Sequence, residues 1–143
     1  TASGDKAQMA QGPDELPGGN ETILYVEDEL NVRSLTAHVL RRLGYHVIEA
    51  GDGQQARHVM ESMNGKPIDL LFSDVVLPDA GAKEISEWVA AQSVPVRLLF
   101  TSGYADEAIL RRHGFDGQTP FLQKPFTLGD LARRVREVCD QPA

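Results

Sequence analysis

The sequence predicts an α/β domain in which roughly five right-handed βα units wind around a parallel sheet. Two observations carry this expectation. From Glu21 onward, apolar runs alternate with segments of helical period. Several of the runs are also apolar almost without interruption, as strands covered on both faces must be.

Residues 1–20 are dominated by Gly, Pro, Ala, Gln and acidic side chains, with Met9 and Leu16 the large apolar ones. Such a stretch buries too little surface to offset its ordering entropy, so 1–20 is expected to be a flexible tail or linker ahead of a domain at 21–143. The predicted strands follow at 23–26, 46–48, 70–72, 96–100 and 121–122, with helices expected at 30–43, 53–63, 82–91, 105–113 and 127–140. Gly44 and Gly65 supply stops after the first two helices. The last helix is the best specified. Thr127 and Asp130 have capping-box spacing, and Leu128, Leu131, Val135 and Val138 share one face.

Composition narrows the function classes. The 143 residues carry a net charge of −7, and the first twenty hold −2 of it through Asp5, Asp14 and Glu15 against Lys6. The acidic remainder repels a nucleic-acid backbone and an anionic membrane surface. No apolar run approaches the roughly 18 residues of a transmembrane helix. Cys139 is the single cysteine, which rules out an internal disulfide and a cysteine-rich metal site and fits a reducing compartment.

The chemistry gathers at strand ends. Glu27-Asp28-Glu29 follows the first predicted strand, Asp74 ends the third, Thr101 the fourth and Lys124 the fifth. Ligands of open α/β sheets bind beyond the carboxyl ends of the strands, so these side chains are expected in one crevice. Two carboxylates about 4 Å apart repel by roughly 4 kcal/mol at an effective dielectric near 20. A cluster of Glu27, Asp28 and Asp74 therefore calls for a cation, and an oxygen-only set suits Mg²⁺. With the Lys124 ammonium and the Thr101 hydroxyl, such a site suits a transferring phosphoryl group, with one carboxylate as nucleophile.

In this order and spacing, five stretches make 21–140 resemble a receiver domain of the response-regulator superfamily. They are Thr22–Glu29, Leu43–Ala50, Asp74–Pro78, Phe100–Tyr104 and Phe121–Phe126. The resemblance implies a flavodoxin-like (βα)5 three-layer sandwich with strand order 2-1-3-4-5. It implies Asp74 as phosphoacceptor and Mg²⁺ (or Mn²⁺) on Asp28, Asp74 and the Val76 carbonyl, with Glu27 acting through water. Lys124 would pair with the phosphoryl group. Thr101 and Phe121 would switch, and the face of the fourth helix, fifth strand and fifth helix would change its affinity for partners. The implied donor is a sensor histidine kinase or a phosphotransfer protein, and the implied location is the cytoplasm. Phosphorylation-dependent dimerisation stays open. The domain's own activity would be limited to self-phosphorylation and self-dephosphorylation.

Two departures stand out. The loop Pro78-Asp79-Ala80-Gly81 carries its glycine at an unusual offset, and the switch aromatic is Phe121 rather than Tyr, which leaves Tyr104 as an alternative switching residue. The entry Gly19-Asn20-Glu21-Thr22 is most similar to receivers at the C-terminus of hybrid sensor histidine kinases. A free-standing single-domain regulator and a degenerate docking-only receiver are the alternatives. A phosphate-loop nucleotide binder is disfavoured by the acidic Glu27-Asp28-Glu29-Leu30, and an aspartyl-phosphate hydrolase by the lack of a cap insertion. The scattered His38, His46, His58 and His113 offer no ligand spacing, Trp88 reads as packing, and Cys139 as a small packing residue. Arg133, Arg134 and Arg136 read as a salt-bridged solvated face.

Overall fold

The computed structural model describes residues 16–62, 67–92, 95–103 and 120–141. Its elements are β1 (Thr22–Val26), α1 (Leu30–Arg42), β2 (His46–Ala50), α2 (Gly53–Ser62), β3 (Leu70–Asp74), α3 (Ala82–Ala90), β4 (Arg97–Ser102), β5 (Phe121–Gln123) and α4 (Leu128–Asp140). The five strands form one parallel sheet in the order β2-β1-β3-β4-β5, the flavodoxin-like topology. The helix expected at 105–113, with Gly65, Tyr104 and His113, lies outside the described residues.

Alternate side chains of one strand point to opposite faces of a sheet, and the core divides accordingly. On one face Ile23, Tyr25, Leu70, Phe72 and Leu99 pack with Ala37 and Leu40 of α1 and with Leu131, Val135 and Val138 of α4. On the other, Leu24, Val26, Leu71 and Phe100 pack with Ala56 and Met60 of α2 and Ile85 of α3. Trp88 packs against this second cluster, as its spacing with Ile85 predicted, and Cys139 is buried in the first. The Cys139 thiol is pushed up to about 11 by burial.

The terminal features follow local rules. Gly44 takes φ 105°, a conformation open to glycine, and its N–H closes α1 on the Arg41 carbonyl at 3.0 Å. The capping box of α4 forms, with Asp130 N–H donating to Thr127 Oγ1 at 3.0 Å and Thr127 N–H to Asp130 Oδ2 at 3.2 Å. Contact with the domain starts ahead of Glu21. Leu16 packs on the first core cluster, and the Gly19 N–H donates to the Leu43 carbonyl at 3.1 Å. A Cβ on Gly18 would lie 2.1 Å from the Leu43 main-chain oxygen, so this position admits only glycine without a backbone shift, while one on Gly19, 2.2 Å from Arg136 Nη1, would have to displace the guanidinium.

Arg136 departs from the expectation of a solvated face. Its guanidinium donates to the Gly18 carbonyl at 3.0 Å, to both carboxylate oxygens of Glu21, and to Asp140 Oδ1 at 2.8 Å. It is drawn inward because Glu21 lies across the first core face, a neighbour that spacing within α4 does not reveal. Arg133 and Arg134 do pair on the exposed surface, with Asp130 and Glu137.

Candidate functional site

Strand register builds the crevice. In β3 and β4, Asp74 stands directly opposite Thr101, and the Val75 N–H donates to the Thr101 carbonyl at 3.1 Å. Beyond β5, the Lys124 N–H donates to the Ser102 carbonyl at 2.8 Å. At the end of β1, the Glu27 N–H donates to Ala50 at the end of β2, 3.1 Å away. Each ladder continues through polar residues at the carboxyl ends, because main-chain pairing is indifferent to the side chain. The polar side chains of four strand ends thus share one rim.

Glu27, Asp28 and Asp74 each present a carboxylate oxygen within 4.8 Å of the others. Glu27 is buried, Asp74 half-buried and Asp28 exposed. Lys124 Nζ donates to Asp74 Oδ2 at 2.8 Å and to Glu27 Oε1 at 3.2 Å. Burial works against the Lys124 ammonium, but the bond and charge of Asp74 outweigh it and its pKa is raised. Glu27 shifts upward as well, because burial penalises its carboxylate more than the Glu29 N–H and Lys124 relieve it. Glu27 and Asp74 share one ammonium, and among the described residues no cation pairs with Asp28.

This donor set fits a hard divalent cation. It offers oxygen ligands only, an uncompensated negative charge, and one exposed carboxylate that leaves room for water, which suits Mg²⁺ better than a nitrogen- or sulfur-seeking metal. Val76 is 50% exposed, and its N–H donates to Asp74 Oδ1 at 3.2 Å, so this residue also borders the acidic cluster.

The remaining sequence candidates are placed as follows. Thr101 is buried beside Asp74. Phe121 is half-buried against the second core cluster, its ring centroid 5.9 Å from that of Phe100. Tyr104 falls outside the described residues. His38, His46 and His58 are exposed and lie on three different elements.

Sequence reasoning missed two residues that shape the rim. Asp79, read only as part of an unusual loop, accepts from the Gly53 N–H at 2.7 Å and the Gln54 N–H at 2.9 Å. It thus serves as a tertiary cap for α2 and ties the loop after Asp74 to the neighbouring unit. Arg33 donates through Nη1 to the Glu27 carbonyl at 2.9 Å. Both contacts bridge separate elements, and neither has a local spacing signature.

An open parallel sheet with an acidic, lysine-bearing rim beyond its carboxyl ends defines a flavodoxin-like class of α/β domain. The family model described as response regulator receiver domain matches residues 23–136, and the chain belongs to that family. Among curated proteins, the sensor kinase CckA of Brucella abortus is 36% identical over 123 residues, covering 86% of this chain. This chain spans only 13% of that kinase. The response regulator receiver protein CpdR of the same organism is 27% identical over 116 residues, 81% of this chain and 94% of CpdR. A crystal structure of the receiver domain from hybrid histidine kinase CckA superimposes with a TM-score of 0.67 at 34% identity, covering 83% of this chain and 99% of that one. The chain is therefore a receiver domain of two-component signalling, similar to the CckA receiver. Among the described residues no helix is long and apolar enough to cross a membrane.

Proposed function

We propose that this domain is the phosphoacceptor of a phosphorelay, taking a phosphoryl group from a phosphohistidine onto Asp74. The observation that carries this reading is the grouping of the Glu27, Asp28 and Asp74 carboxylates within 4.8 Å, with Lys124 2.8 Å from Asp74. In the transfer, the donor N–P bond breaks as a bond forms from phosphorus to an Asp74 carboxylate oxygen. Asp28, Asp74 and the Val76 carbonyl would hold Mg²⁺, with Glu27 acting through water. Bound there, the ion would supply positive charge to the phosphoryl oxygens.

Lys124 has a second task. Its ammonium bonds Asp74 directly before transfer, and after transfer it is positioned to pair with a phosphoryl oxygen instead. Thr101, register partner of Asp74, would be drawn toward the same group, and Phe121, stacked on Phe100, would change rotamer. The face around β5 and α4 then changes its affinity for partners. The likeness to CckA supports a place in a hybrid sensor kinase, with the segment ahead of Leu16 as a linker, a cytoplasmic setting, and a histidine kinase or phosphotransfer protein as donor.

Acetyl phosphate with Mg²⁺, followed at once by intact mass, tests the assignment. One phosphoryl adduct is expected on the parent chain and none on Asp74→Asn. An adduct on the variant would move the acceptor elsewhere, and none on either would favour a docking-only receiver.

A further inference from the structure

Arg33 lies one turn into α1, and its guanidinium makes a contact that the transfer chemistry does not call for. Nη1 donates to the Glu27 main-chain oxygen at 2.9 Å, and Nε donates to Glu49 Oε1 at 3.4 Å. Glu49 is held from its other oxygen by Arg41 Nη1 at 3.0 Å, and Arg41 also donates to the Val47 carbonyl at 2.9 Å. The Arg33 side chain is only 19% exposed. An arginine turned inward and anchored at both ends of its planar group has little freedom left.

The loop it reaches has no capping side chain, and the other bonds that hold it do not involve the Glu27 carbonyl. Glu29, the N-cap of α1, makes no side-chain cap hydrogen bond, and residues 27–29 are three successive carboxylates. The Glu27 N–H is taken by Ala50, and the Glu27 carboxylate accepts from the Glu29 N–H at 3.1 Å. The Glu27 carbonyl is the group that Arg33 takes. That oxygen belongs to the same planar peptide unit as the Asp28 N–H. Fixing it fixes the direction in which Asp28 leaves the strand.

We propose that Arg33 is a positioning residue for the acidic site, setting through the Glu27 carbonyl the peptide that carries Asp28 and hence the spacing of Asp28 from Asp74. The proposal rests on the reading of Glu27, Asp28 and Asp74 as a divalent-cation site. Its signature has a definite sign. Acting only as a charge, the guanidinium repels an incoming cation, so its removal tightens Mg²⁺ binding. Acting only in folding, it leaves affinity unchanged when removed. Acting as a positioning group, it weakens binding when removed, although a repulsive charge has gone.

The test is calorimetric titration of Mg²⁺ into the full chain and its Arg33→Gln and Arg33→Lys variants, with ¹⁵N order parameters measured in chelator. Arg33→Gln is expected to weaken Mg²⁺ binding about tenfold, the usual cost of removing an outer-sphere support. The Asp28 order parameter in that variant should fall from the rigid range near 0.85 toward about 0.6. Arg33→Lys, which keeps one donor but not the planar group that also reaches Glu49, should recover part of both. Equal or tighter binding by Arg33→Gln would overturn the proposal. If the parent itself binds no Mg²⁺, the cation-site reading falls. The metal-free order parameter then decides alone, and an unchanged value at Asp28 in Arg33→Gln overturns the positioning role.

Discussion

Two charged clusters stand on the same fold and are built on opposite principles. Around Arg136, two carboxylates and the Gly18 carbonyl meet a guanidinium whose donors match them. The bond from Arg136 holds the Glu21 carboxyl below its usual range, and those from Glu21 and Asp140 raise Arg136. Around Lys124, two carboxylates share one ammonium with a third, that of Asp28, alongside, and burial lifts the carboxyl of Glu27 above its usual range. Two glutamates at the two ends of one strand are thus shifted in opposite directions. The first cluster satisfies its charges and ties the chain entry to α4. The second leaves negative charge unsatisfied, and that imbalance is what makes it receptive to a cation.

The contrast sets the order of expected effects. Arg136→Ala strips several charge-assisted bonds from a half-buried group and should lower unfolding stability by about 2 kcal/mol. Urea denaturation without metal measures it, and a loss below about 0.5 kcal/mol would show the cluster to be ordinary surface pairing. Mg²⁺ at ten times its Kd should raise stability by about 1.4 kcal/mol through mass action alone. The same addition should leave the Arg136 deficit untouched, since the two clusters are separate. Asp28→Asn should stabilise the metal-free protein by less than about 1 kcal/mol, because the carboxylate it neutralises is exposed and its repulsion screened. A destabilised Asp28→Asn variant would mean that the acidic rim is not under strain.

The smallest effect is in pH. The unfolded chain protonates Glu21 near the ordinary 4.5, while the native pair with Arg136 resists to lower pH. The contribution is therefore present above 4.5 and lost as pH falls toward the lowered native value. Glu21→Gln should flatten the acid limb of the stability curve below 4.5, and an unchanged limb would remove Glu21 from the account. Glu27 has the reverse sign. Between 4.5 and its raised value the native state keeps a proton that the unfolded chain has released, so stability in the metal-free protein falls as pH rises there.

The two clusters also mark how far the sequence could be read. Glu27, Asp28, Asp74, Thr101 and Lys124 were legible because each sits at a strand end, and strand ends of a parallel sheet converge by topology. The strands themselves were read slightly short. The apolar runs stop at Phe72 and Phe100, but the ladders persist on main-chain bonds to Asp74 and Ser102. Gly44 and the Thr127–Asp130 box were legible because they are local chemistry. The Arg136–Glu21 pair, 115 residues apart, left no such trace. Nor did Asp79 capping α2 across 26 residues. Contacts of this kind depend on which faces meet in space, and periodicity within one element is silent about its neighbours.

The slot at Gly18 and Gly19 has a practical corollary for protein engineering. Gly18 and Gly19 pass Leu43 and Arg136 without side chains, so the splice point of a chimera belongs before Leu16, with Leu16 to Asn20 retained as part of the receiver. A graft made at Glu21 would replace Gly18 and Gly19 and would press any foreign side chain at position 18 onto the Leu43 main-chain oxygen, 2.1 Å from where its Cβ would stand.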